Sequence, residues 1–93
     1  MQKRDDKTVR QTIPVRTLQN IGPMTARWLE SIGIHSEDDL AKLGAVEAYK
    51  RLKAAYPDRV TLNALYAMHG ALLGIPWNLL PKGMRDELRR QVM

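Results

Sequence analysis

The chain contains no cysteine. That excludes a disulfide framework, a zinc–thiolate site and a thiol nucleophile. It has no apolar run of about 18 residues, so no helical membrane span is expected. The opening stretch, MQKRDDKTVRQTI, is polar and lacks the apolar centre of a secretory signal. The expected location is therefore the cytoplasm. Serine is scarce, at Ser31 and Ser36, and so is histidine, at His35 and His69. The two histidines do not share a metal-ligand spacing with any other donor. No Gly-rich loop joins a strand to a helix, as nucleotide-binding motifs require. Asp38-Asp39 reads more simply as a helix start than as an acid/base pair. These absences lead to an expectation of no catalysis, no cofactor, no metal and no small-molecule substrate. No segment alternates with period two, so no sheet is expected either.

What is present is enough for one domain. The chain has 93 residues, of which 44% are hydrophobic, which suits a single buried core. Its formal net charge is +5, which fits a nucleic-acid partner without requiring one. The charge is unevenly placed. Residues 14–44 set Arg16, Arg27 and Lys42 against Glu30, Glu37, Asp38 and Asp39, a net of −1. The flanking segments 1–13, 45–80 and 81–93 each carry a net of +2. Residues 1–12 read as a disordered polar tail, because they have little to bury. Residues 13–93 read as the folded unit.

Glycine and proline punctuate that unit. Pro14 is expected to open a short helical turn ending near Leu18. Asn20-Ile21-Gly22-Pro23 then breaks the chain, with Pro23 suited to the first position of a helix. That helix runs from about Pro23 to Ser31 and stops at Gly33. Ser36 is an N-cap for the next, with acids in its first turn and Asp39 where a capping box places Glu. Gly44 separates it from a helix over about Ala45–Ala55, with Val46, Tyr49, Leu52 and Tyr56 on one stripe.

Val60–Leu73 is apolar nearly all round and is expected to be central. Its main face is read as Leu62, Leu65, Tyr66, His69, Leu72 and Leu73, with His69 a hydrogen-bonded core residue. Trp77 and Leu79 are expected over the core, with Trp28 at the core or its edge. A last helix from Pro81 to about Val92 turns Met84, Leu88 and Val92 inward. Arg85, Arg89 and Arg90 near its end serve dipole compensation as well as they would a ligand.

LQNIGPMTARWLESIGI, residues 18–34, resembles the first half of a helix-hairpin-helix module. In that family the turn's amides donate to DNA phosphates, as free amides at a helix start can. Here Asn20 stands where the family has its first Gly, and Met24 where a Lys or Arg is common. SEDDLAKLGAVEAYKRL resembles a degenerate second half. The ordered set N-I-G-P, I-G-I, L-G-A-V-E-A-Y and W-N-L-L-P is similar to the C-terminal domain of the TfoX/Sxy family, over about residues 14–92. That family is named for regulators of bacterial competence. Its full-length members carry an additional N-terminal α/β domain, for which 93 residues leave no room. The resemblance implies an all-α, compact five-helix bundle of helix-hairpin-helix or SAM-like type.

Two functions follow as expectations. One is a regulatory binding module that docks onto a protein partner. The other is weak, sequence-tolerant binding to the DNA backbone. For the second, the candidate phosphate contacts are Arg16, Asn20, Gly22 and Arg27 at the hairpin, with Lys50, Arg51 and Lys53 as flanking cations. Each has an alternative reading. The hairpin turn can serve only to pack two helices, and basic helix faces are commonly just solvated.

Overall fold

Pro14 and Ser36 face each other across a short antiparallel bridge. The computed structural model describes residues 13–93, so the expected polar tail over residues 1–12 lies outside the described residues. The bridge rests on two backbone bonds, from the Val15 N–H to the His35 carbonyl at 2.9 Å and from the Glu37 N–H to the Ile13 carbonyl at 2.8 Å. A 3-10 turn, Val15–Thr17, follows.

Five α-helices come next: α1 Pro23–Ser31, α2 Glu37–Leu43, α3 Ala45–Ala55, α4 Leu62–Leu73 and α5 Lys82–Val92. A second 3-10 turn, Trp77–Leu79, separates the last two. The described residues contain no strand, so the all-α five-helix bundle is the observed architecture.

The helix ends form where the local chemistry requires them. Pro23 occupies the first turn of α1, where a missing N–H costs nothing. At its other end Gly33 takes φ +91°. The Gly33 N–H then reaches the Glu30 carbonyl at 3.1 Å and the Ile34 N–H the Leu29 carbonyl at 2.9 Å. This paired closure satisfies two otherwise orphaned carbonyls and folds Ile34 back onto Leu29.

Helix α2 begins with a complete capping box. Ser36 Oγ accepts from the Asp39 N–H at 3.0 Å, and Asp39 Oδ2 accepts from the Ser36 N–H at 3.2 Å and the His35 N–H at 3.0 Å. Asp therefore does here what Glu more often does.

Helix α4 runs through the middle, packed against α2, α3, α5 and the second 3-10 turn. It starts at Leu62 rather than Val60, with Thr61 extended as its N-cap. Neighbours on several sides also shift its buried set. Leu65 and Tyr66 are buried as expected, but Ala64, Met68, Gly70 and Ala71 join them, while Leu73 is half exposed. Small residues at 64, 70 and 71 let the surrounding elements approach closely. Leu29, Leu40, Leu52, Leu65 and Met68 are fully buried together. Each contributes about 1.5–3 kcal/mol of apolar burial. Beyond α4, the expected placement of Leu79 is reversed: Leu80 is buried and Leu79 is 65% exposed.

Candidate functional site

The segment from Gln19 to Pro23 is a corner where α1 meets the end of α4. Asn20 has φ +73°, the left-handed region that Asn tolerates better than most residues. Its side chain explains why Asn rather than Gly stands there. Asn20 Nδ2 donates to the Ile75 carbonyl at 2.9 Å and to the Ala67 carbonyl at 3.3 Å. Asn20 Oδ1 accepts from the Trp77 N–H at 3.1 Å. One amide thus joins the hairpin to α4, the chain after it and the second 3-10 turn. Gly70 makes room for this. A Cβ on Gly70 would lie 2.6 Å from Asn20 Nδ2 and 2.9 Å from the Ile75 carbonyl oxygen.

Sequence spacing shows the turn but not this junction, whose partners lie 47 to 57 residues away. The Asn20 side chain is directed into the fold. Beside it, Gly22 is exposed and N-caps α1 without a side-chain cap. The N–H groups of Gly22, Met24 and Thr25 find no acceptor among the described residues. Arg27 beside them is exposed.

The other candidate cations are engaged to different degrees. Arg16 grips Glu30 with two prongs, Nε to Oε2 at 3.1 Å and Nη2 to Oε1 at 2.8 Å. Arg51 lies 3.4 Å from Glu47. Lys53 Nζ donates to the Pro57 carbonyl at 2.9 Å and the Val60 carbonyl at 2.8 Å, so it ties down the loop after α3. Arg27 and Lys50 make no ion pair among the described residues. The fold packs α1 against α3. Even so, only Asn20, Gly22 and Arg27 belong to the hairpin itself; Arg16 precedes it and the other three lie along α3.

The corner also exposes several large apolar groups. Leu73 is 50% exposed, Trp77 37% and Leu79 65%, all at the end of α4 or in the turn that Asn20 holds. Met24, in the first turn of α1, is 44% exposed. Sequence reasoning missed Leu73, Trp77 and Leu79 as surface groups. The signal for Leu79 is its neighbour: of two adjacent leucines before Pro81, one turns away when the other is buried.

The aromatic and histidine residues are placed more plainly. Trp28 stacks on Tyr56 with ring centroids 5.6 Å apart, and Tyr56 Oη lies 2.7 Å from Ser31 Oγ. One face of Trp28 is therefore covered. His69 is half-buried beside a groove of about 390 Å³, with Leu43, Val46, Leu72 and Leu88. Its ring makes no hydrogen bond among the described residues, contrary to the sequence expectation. Close neighbours on α4's other sides leave it at the groove's rim rather than in the core.

The described residues include no cluster of three or more His, Asp or Glu side chains able to hold a metal ion. No described helix is long and apolar enough to cross a membrane. Three carboxylates are held below their usual range. Backbone donation from His35 does this for Asp39, the Lys82 hydrogen bond for Asp86, and the Arg90 hydrogen bond for Glu87.

Residues 11–92 match the model of the TfoX C-terminal domain. The DNA transformation protein TfoX1 of Aliivibrio fischeri is 27% identical over 90 residues, covering 97% of this chain and 43% of that protein. The chain thus spans less than half of that relative. Two crystal structures of Listeria monocytogenes proteins share the fold. An uncharacterized protein in a triclinic form has TM-score 0.77 and 32% identity, covering 82% of this chain and 85% of its own. A protein of unknown function in a tetragonal form has TM-score 0.78 and 31% identity, covering 83% and 94%.

Proposed function

Because the chain belongs to the TfoX C-terminal domain family, we propose that it is a non-enzymatic regulatory module of the competence type, working in the cytoplasm by docking onto a protein partner. The observation that carries this reading is the apolar group Leu73, Trp77 and Leu79 on a corner fixed from behind by Asn20. Tryptophan anchors on rigid supports are common at the energetic centres of protein interfaces. A preorganised support also lowers the ordering cost of association. Arg16 and Lys53 are already engaged within the chain, which leaves fewer cations for phosphate contact.

The test is affinity capture from competent cells with wild type, Leu79→Asp and Trp77→Ala. A specific partner should be recovered by wild type and lost with both variants, while Arg27→Ala and Lys50→Ala keep it. Equal recovery by all variants removes the docking reading.

A second reading has its own support. The N–H groups of Gly22, Met24 and Thr25, without acceptors among the described residues and with Arg27 close by in sequence, form a start of helix suited to an anion. The Aliivibrio relative's name also refers to DNA transformation. On this reading Gly22 and Arg27 contribute at the hairpin with Lys50 flanking it, and Arg16, Arg51 and Lys53 would have to leave their present partners to join them, while Asn20 would act through its backbone alone. Binding to duplex DNA would then weaken steeply with salt, through counterion release. Arg27→Ala would flatten that dependence. No detectable binding at low salt excludes this reading.

A further inference from the structure

Helix α5 carries a second charged face. Lys82, Arg85, Asp86 and Arg89 follow the i, i+3, i+4, i+7 pattern that places side chains on one side of a helix. Together with Tyr66 of α4 they line a hollow of about 250 Å³. Asp86 organises its rim. One carboxylate oxygen takes Lys82 Nζ at 2.9 Å and the other takes Arg89 Nη2 at 3.0 Å. Both Asp86 oxygens are therefore occupied, and three cations against one carboxylate leave two positive charges in excess.

Arg85 lies between these two cations along the helix. It makes no ion pair among the described residues, and its Nε–H is buried without an acceptor. A buried donor left unpaired costs about 1–3 kcal/mol, so such a group calls for a partner. Tyr66, largely buried, lines the same hollow, and its hydroxyl makes no hydrogen bond among the described residues. Dipole compensation accounts for Arg89 and Arg90 in the last turn of α5, but not, as the sequence suggested, for Arg85, which stands in the first turns with an unmet Nε–H.

We propose that this hollow binds a phosphoryl oxyanion, held by the Arg85 guanidinium and the Tyr66 hydroxyl between the flanking charges of Lys82 and Arg89. Guanidinium suits this ligand because its planar fork matches two phosphate oxygens, and charge-assisted bonds are the strong ones. The hollow is small and polar, which fits a phosphate group rather than a base or an apolar side chain. The phosphoryl group can belong to a nucleic-acid backbone or to a small phosphorylated molecule. The site uses none of Leu73, Trp77 and Leu79, so it stands or falls separately from the docking reading.

The test is a nuclear magnetic resonance titration of the whole chain, following the Arg85 Nε–H resonance. Inorganic phosphate should shift it saturably, while sodium chloride at equal ionic strength should not. Arg85→Gln, followed through the backbone amides of α5 because it lacks that N–H, should weaken phosphate at least about tenfold, as loss of a charged hydrogen bond implies. Tyr66→Phe, a change of one hydroxyl, should weaken it by less; Leu79→Asp should leave it unchanged. A duplex oligonucleotide that shifts the same resonance identifies a backbone phosphate as the source. A duplex that leaves it still, where phosphate binds, identifies a small ligand. Absence of a saturable phosphate shift, or an equal shift with chloride, overturns the proposal. Because the readout is on the wild-type chain, misfolding of a variant does not blur the result.

Discussion

At the scale of single residues, Asn20 and Gly70 depend on each other. Asn20→Gly keeps the left-handed backbone but removes three hydrogen bonds. A loss of about 1–3 kcal/mol is expected from denaturant unfolding. Asn20→Ala loses the same bonds and adds backbone strain, so it should fall about 1 kcal/mol below the glycine variant. Gly70→Ala puts a methyl against the Ile75 carbonyl, whose backbone cannot easily retreat. Overpacking of that kind costs about 1–3 kcal/mol. If Gly70→Ala proves neutral, the corner is looser than its distances imply. None of this was legible in the sequence, where Asn20 reads as a turn residue. Its partners at Ala67, Ile75 and Trp77 become neighbours only once α4 has folded across the hairpin. Lys53 escaped for a similar reason. In sequence it is one of three basic residues on a helix, and in space it caps a loop.

At the scale of elements, the helix boundaries were largely readable, because their causes are local. Pro23, Gly33, Ser36 and Gly44 act within a turn of where they stand, and each ends or begins a helix as its chemistry directs. The capping box of α2 makes a testable unit. Ser36→Ala should cost about 1 kcal/mol, visible in thermal or chemical unfolding. The same cap gives a pH dependence. Donation from the His35 backbone holds the Asp39 carboxyl below its usual 3.8. A lowered folded-state pKa adds stability above about 3.8, and that stability drains away as pH falls through the lower folded value. Asp86 and Glu87 on α5 act in the same direction. Asp39→Asn should therefore flatten part of the acid limb of a stability profile, leaving the neutral-to-basic side unaltered in slope. An unchanged acid limb would mean that the cap is already open near pH 4. Burial along α4 was less legible, since a helix apolar on most sides does not reveal from sequence which side meets which neighbour.

At the scale of the whole molecule, one shared core joins all five helices. Leu52 of α3 and Leu65 of α4 are both fully buried in it. Leu65→Ala should cost about 2–5 kcal/mol. A domain of this size has total stability of order 5–10 kcal/mol, so a large part of it depends on that one side chain. Unfolding should stay cooperative, with helical and aromatic signals lost together. Separate transitions for the hairpin half and the α4–α5 half would contradict a single core. The surface divides differently from the core. The corner at Leu73, Trp77 and Leu79 is apolar, whereas the hollow on α5 is polar and cationic. Composition reported the excess of positive charge but not this separation, because ion pairing decides which cations remain outward. The bond from Trp77 to Asn20 crosses from one half of the chain to the other. Deuterium uptake at that one backbone position is consequently a gauge of the whole corner. It should slow when a ligand clamps either side, and quicken in any variant that lets the hairpin swing free.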